Sequence, residues 1–198
     1  MFVAFDLSTS GRHISRMAIL KIARMGHPVL RRRADPVADP SAPEIARLVR
    51  DMAETMYDAP GLGLAAPQVH VPLRLVLFHV PGSRAEPGEA PQELTVLMNP
   101  VIEPLTDETA LGWEGCLSVP GLRGVVPRWT RIRYSGIGLD GRPIRREAAG
   151  MHARVVQHEC DHLDGVLYPQ RMTDLTQLVF ESEMRHREAD PAIAEDVE

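Results

Sequence analysis

The apolar positions of this chain fall into short, separate patterns instead of one long period. Ile45, Leu48, Val49, Met52 and Met56 recur at helical spacing, which gives one buried face. Ser41 and Glu44 form an S-x-x-E capping box ahead of that run, with Pro43 in the first turn, so a helix is expected to begin there. It should end near Asp58, because Pro60, Gly61 and Gly63 follow. The period then changes. Leu73 to Val80 is an apolar run suited to a buried strand, and Leu94 to Met98 is a shorter one. The Pro-, Gly- and Glu-rich stretch 81–91 between them reads as a surface loop. Ile132 to Leu139 and Pro143 to Glu147 flank Asp140-Gly141, a hairpin-turn pair. A second helix is expected from about Gly150 to Leu163. A third is expected from about Asp174 to Arg187, with Leu175, Leu178 and Val179 on one face. Helix, then strands, then helix, without βαβ alternation, predicts an α+β fold. In it, antiparallel or mixed sheets pack around the second helix, with one helix before them and one at the C-terminal end.

A chain of 198 residues supports one domain with a sizeable core. We expect that domain to span 17–188, with a loosely structured extension at 1–16, where Ser8, Thr9, Ser10 and Gly11 crowd together. The acidic residues 189–198 read as a solvated tail. A hydrophobic share of 44% and a charged share of 25% are ordinary for a globular protein. Net charge is −5 with Lys and Arg scattered, which gives no electrostatic footprint for specific nucleic acid binding. No apolar run approaches the roughly eighteen residues of a membrane span. Residues 1–16 make no signal peptide, since their apolar stretch is broken by Asp6 and no basic start precedes it. The expected location is therefore cytoplasmic. Cys116 and Cys160 read as metal-binding, reactive or buried thiols, because a chain of this length folds without a disulfide staple.

The sharpest chemical signal is His158-Glu159-Cys160-Asp161-His162, an H-E-x-x-H on the second expected helix. Residues four apart share a face, so both imidazoles can reach one cation. Glu159 lies beside them, placed to handle a proton on a metal-activated water without ligating. Cys160 points to roughly the opposite side of the helix and is expected to serve packing. Two histidines do not complete a catalytic site, which usually has three protein ligands. Two kinds of residue qualify as the third. Glu181 or Glu183, about twenty residues on, would make a zinc peptidase of the thermolysin kind. Cys116, in Glu114-Gly115-Cys116-Leu117-Ser118, is the better donor, because a thiolate suits soft or borderline cations and Gly115 lets backbone approach closely.

Three segments together resemble one family, the peptide deformylases. Gly61-Leu62-Gly63-Leu64-Ala65-Ala66-Pro67-Gln68 is similar to its first motif, Glu114 to Ser118 to its second, and Gln157 to Leu163, continued by Asp164-Gly165, to its third. The resemblance covers roughly Met17 to Arg187. Relatives of this kind commonly begin at a residue like Met17, so 1–16 reads as an added tail or an upstream start.

The resemblance implies hydrolytic removal of the formyl group from the N-terminal formylmethionine of nascent polypeptides, with release of formate. It implies that Cys116, His158 and His162 hold one divalent metal. That metal would be ferrous iron natively, with zinc, nickel or cobalt able to take its place. Glu159 would take a proton from metal-bound water and pass it to the departing amine. The Gln68 amide and the Leu117 backbone N–H would meet the oxyanion. Gly63 and Gly115 would pair with the substrate backbone, Leu62 and Val155 would line the methionine pocket, and Arg123 would meet the substrate. Glu114 and Arg128 would form an ion pair bracing the cysteine loop, and Arg154 would be a polar residue at the pocket rim. The expected protein is a monomer whose partners are formylated nascent peptides, compatible with transient ribosome contact.

Overall fold

The computed structural model describes residues 18–85 and 90–186, so the expectations for the extension and the acidic tail lie outside the described residues. Helix α1 (Pro43–Asp58) ends where Pro60 and Gly61 required. Its start differs from the expected capping box. The N-cap is Ala42, no side chain caps the helix, and the Ser41 hydroxyl donates to Asp39 Oδ1 at 2.6 Å instead. Pro43 at the first helical position supplies a pre-set φ and removes one orphan donor, so the helix starts without the serine. Ile45, Val49, Met52 and Met56 are buried against Leu64, Leu75, Leu77 and Met98, each contributing on the order of 1.5–3 kcal/mol.

Among the described residues, eight strands form two antiparallel sheets. Strands β1 (Gly63–Ala65), β2 (Leu75–Val80), β3 (Gln92–Pro104), β6 (Arg131–Ile137) and β7 (Pro143–Ala149) make a five-stranded sheet in the order β1-β2-β3-β6-β7. Strands β4 (Thr109–Cys116), β5 (Val119–Trp129) and β8 (Val179–Phe180) make a three-stranded sheet in the order β4-β5-β8. The β6–β7 hairpin turns at Asp140-Gly141 as expected, with Gly141 at φ +75°. Strand β3 runs past the apolar Leu94–Met98 segment through a register shift between Met98 and Val101, where Asn99 has φ +51°.

Helix α2 (Gly150–Leu163) lies at the centre and is buried from Ala153 to Leu163. Its Ala153, Val156, Cys160 and Leu163 pack with Val76, Phe78, Leu97, Ile132 and Tyr134 of the large sheet. This is an α+β architecture built around the H-E-x-x-H helix. A C-terminal helix is present in 3-10 form, but the continuous helix expected from Asp174 is divided. The 3-10 turn Leu175–Gln177, strand β8 and a 3-10 segment Glu181–His186 take its place. Pairing of Leu122 with Phe180 and Arg123 with Val179 claims that backbone for the sheet, which interrupts any helical ladder.

Candidate metal centre and its cavity

Two faces of α2 serve different ends. One packs on the large sheet; Arg154, His158 and Asp161, spaced one turn apart, face the β4–β5 hairpin. The hairpin register shifts between Gly115 and Cys116, and such an irregularity re-aims a side chain. The Cys116 sulfur lies 3.3 Å from His162 Nε2. One donor atom each from Cys116, His158 and His162 falls within 4.8 Å of the others, the one such cluster of metal-ligating side chains among the described residues. Glu181 and Glu183 are exposed, and Glu181 Oε1 is 3.3 Å from Arg123 Nε instead. The peptidase reading therefore finds no third ligand.

The cluster's electrostatics match its donor types. Burial opposes charge on Cys116, but His162 and His158 outweigh it and hold the thiol well below its usual range. Burial likewise opposes a charged His158, but hydrogen bonds with Cys116 and Glu114 raise it well above the ordinary value. The cluster groups one sulfur with two imidazole rings, and one buried ring nitrogen, His162 Nδ1, has no partner among the described residues. One soft sulfur and two imidazoles suit a borderline divalent cation, so these residues fit a metal.

Glu114 supports the cluster from behind. Its Oε2 is 2.8 Å from His158 Nδ1, which fixes that ring with its other nitrogen toward the cluster. The expected pair with Arg128 is present as a bidentate fork, Arg128 Nε to Oε1 at 2.8 Å and Nη2 to Oε2 at 3.0 Å. The brace reaches further than a pair. Arg128 Nη1 also donates to Asp161 Oδ2 at 2.6 Å, and Arg171 forks onto Asp161 at 2.7 and 3.1 Å. Asp161 and Arg171 were not singled out in the sequence. Asp161 sits at a variable position of H-E-x-x-H, and only its helical offset from His158 and Arg154 hinted at a shared face.

Glu159 is buried, and its Oε2 has no partner among the described residues. Burial pushes its carboxyl up to about 7, against the pull of His158 and His162. Gly63 on β1 lies directly over it. A Cβ there would come within 2.7 Å of Glu159 Cγ, so the glycine makes room for the carboxylate.

Gln68 occupies a 3-10 turn (Ala66–Val69) and is 2% exposed. Its carbonyl accepts from Ala65 N–H at 2.8 Å, which sets the amide's orientation. The NH2 is thereby aimed at Cys116 Sγ (3.5 Å) and Ser118 Oγ (3.2 Å).

These groups open on one cavity of about 750 Å³. Leu62, Gly63, Gln68, Gly115, Cys116, Leu117, Arg123, Val155, His158 and Glu159 all line it; Tyr57, His79, Trp113 and Met151, not anticipated, are also among its walls. Arg123 is at the cavity but is paired with Glu181. Cys160 is buried on the opposite side of α2, where burial pushes its thiol far up, as its packing role required. Arg154 lines the cavity wall but is only 9% exposed, because its guanidinium finds acceptors across the β4–β5 hairpin.

Comparisons with known proteins bear on the family and the fold. Residues 19–178 match the family described as polypeptide deformylase. Peptide deformylase 1 of Bordetella pertussis is 55% identical over 170 residues, 86% of this chain and 96% of that protein. A class I type b peptide deformylase from Acinetobacter baumannii, solved with Met-Ala-Ser bound, superposes with a TM-score of 0.73 at 34% identity, covering 79% of this chain and 99% of that one. The peptide deformylase of Ehrlichia chaffeensis, solved with actinonin, gives a TM-score of 0.75 at 34% identity, covering 81% and 92%.

Proposed function

The chain belongs to the polypeptide deformylase family, metal-dependent hydrolases that remove the N-formyl group from nascent peptides, and on that premise we propose how its own residues carry the reaction. The observation that supports the assignment best is a buried Glu159 carboxylate, its Oε2 without a partner among the described residues, beside the Cys116/His158/His162 cluster, with Cys116, His158 and Glu159 opening on one cavity. Cys116, His158 and His162 would hold the metal. A bound divalent cation supplies Lewis acidity and makes water acidic enough to act as a nucleophile near neutral pH. Ferrous iron is the proposed native ion, and zinc, nickel or cobalt could occupy the same donors.

Glu159 takes a proton from the water as it attacks the formyl carbon, then delivers it to the departing amine. A carboxyl poised at about 7 suits both transfers. As negative charge develops on the formyl oxygen, the Gln68 amide N–H and the Leu117 backbone N–H donate to it. Ala65 holds that amide in place, so little reorganisation is needed at the moment of reaction. Gly63 on β1 and Gly115 on β4 pair with the backbone of the incoming chain, as an added strand would. The Acinetobacter relative was solved with a short peptide, Met-Ala-Ser, bound. Leu62 and Val155 enclose the methionine side chain, and Arg123, paired with Glu181, faces the peptide at the mouth. The proposed protein is a cytoplasmic monomer with one catalytic domain, 17–188; no helix among the described residues is long and apolar enough to cross a membrane.

The test is formate release from a short formyl-Met peptide by protein loaded anaerobically with ferrous iron, beside Glu159→Ala and Cys116→Ser. We expect rapid release by the parent, almost none by Glu159→Ala with metal still bound, and loss of both metal and activity in Cys116→Ser. A folded, metal-loaded parent that releases no formate would overturn the mechanism.

A further inference from the structure

Arg154 is the buried cation that this mechanism leaves unexplained. Its Nη1 donates to Val126 O at 2.9 Å, to Glu114 Oε1 at 3.1 Å and to Gly112 O at 3.4 Å, and its Nη2 donates to Ala110 O at 3.0 Å. Three of those acceptors are carbonyls spread over both strands of the hairpin that ends in Cys116. The guanidinium can lie there only because residue 112 has no side chain. A Cβ on Gly112 would stand 2.6 Å from the guanidinium carbon and 2.6 Å from Nη2. The far end of an arginine usually yields to such a contact. This one is held by buried acceptors that would all be disturbed together.

Arg154 and His158 are one turn apart on α2, and both touch Glu114, one at each oxygen: Arg154 at Oε1, His158 at Oε2. Arg128 already forks onto the same carboxylate from β5. That arginine is itself anchored to Asp161, one turn beyond His158 on α2. Arg154 adds a direct contact from one turn before His158, so the carboxylate that meets the ring is held from both sides of it.

We propose that Arg154, seated against Gly112, is a positioning residue of the metal centre: it fixes Glu114, and through it the His158 ring, relative to the hairpin that presents Cys116. The role rests on the reading that Cys116, His158 and His162 hold the cation. Arg154 touches neither the reacting atoms nor the cluster itself, so its effect is carried by geometry. Gly112 is the second half of the device, because the space it leaves is the space the guanidinium fills.

The readouts are Co(II) affinity by chelator competition and the visible absorption of the Co(II) protein, which reports the ligand sphere whether or not the enzyme turns over. For Arg154→Met we expect affinity to fall about tenfold, the low end for partners of metal ligands, with a shifted absorption band. Gly112→Ala keeps the arginine but displaces it, and should produce the same changes more weakly. Added to Arg154→Met, Gly112→Ala should cost nothing further, because the atoms it would strike are gone. Parent-like affinity and spectrum in both single variants, or additive losses in the double, would overturn the proposal. If Arg154→Met does not fold, Gly112→Ala decides by the same two readouts. Cys116→Ser separates this from the underlying reading: if it binds Co(II) as the parent does, the ligand assignment fails. If it loses Co(II) while the Arg154 and Gly112 variants do not, only the positioning role fails.

Discussion

Helix α2 joins two regions built on opposite principles. Toward the five-stranded sheet it presents Ala153, Val156, Cys160 and Leu163, which meet Val76, Phe78, Leu97 and Tyr134 through contact alone. Toward the β4–β5 hairpin it presents Arg154, His158 and Asp161, which meet Glu114, Arg128 and Arg171 through directed hydrogen bonds. Apolar contact is non-directional and tolerates small shifts, so it supplies stability. A buried ion network costs nearly as much in desolvation as it returns in attraction, so its net stabilisation is small while its angular demands are strict. In this molecule the strict region surrounds the candidate metal centre, and the tolerant region holds the helix against it.

Glu114→Ala should break the polar side hardest. It leaves Arg128, Arg154 and His158 without their shared carboxylate, and removing one partner of a buried network costs about 3–5 kcal/mol. Metal affinity should also fall about 10- to 100-fold. Chemical denaturation and metal competition would check both. Parent-like metal affinity in the folded variant would show that the network is structural only.

Phe78→Ala tests the other side. Phe78 is fully buried, and its loss should cost about 3–5 kcal/mol of stability. Assayed where the variant remains folded, its kcat/KM should stay within about threefold of the parent. A hundredfold loss would mean that the apolar face also sets the geometry of the site.

The smallest effect lies at the border. His152 sits half-buried against Phe78 and Tyr134, and burial, aided by Arg146, lowers its pKa from 6.5 to about 4. The ring is neutral in the fold, whereas the unfolded chain takes up a proton below about pH 6.5. Its contribution is therefore complete above pH 6.5, shrinks as pH falls, and is gone near pH 4. Solvent screening keeps the change to about 1 kcal/mol. Denaturation midpoints over that range should fall less steeply in His152→Gln than in the parent; identical slopes would remove His152 from the account.

The two regions also differed in how far the sequence revealed them. The α1 stripe, the β2 run, the Asp140-Gly141 hairpin and α2 all carry their signal in neighbouring residues, and each stands near its expected bounds. Strands β4 and β5 carry Gly112, Gly115, Pro120, Gly121, Gly124 and Pro127, residues of low strand preference. What makes them strands is mutual pairing and the arginines that cross from elsewhere, contacts a local pattern cannot encode. For the same reason the H-E-x-x-H helix and Cys116 were legible, whereas the acceptors of Arg154 and the partners of Asp161 were not. The site's chemistry is written in motifs, but its support is written in distances across the fold.

Strand β1 is three residues long and ends its sheet, while β4 ends the other; among the described residues both carry one side without a neighbouring strand. Bare strand edges are the usual starting points of aggregation. Here Gly63 and Gly115, one from each edge, line the same cavity. On the proposed reading, in which these edges pair with substrate backbone, a recessed edge would favour a loose chain end over the strand of a folded neighbour and so would act as a filter on foldedness.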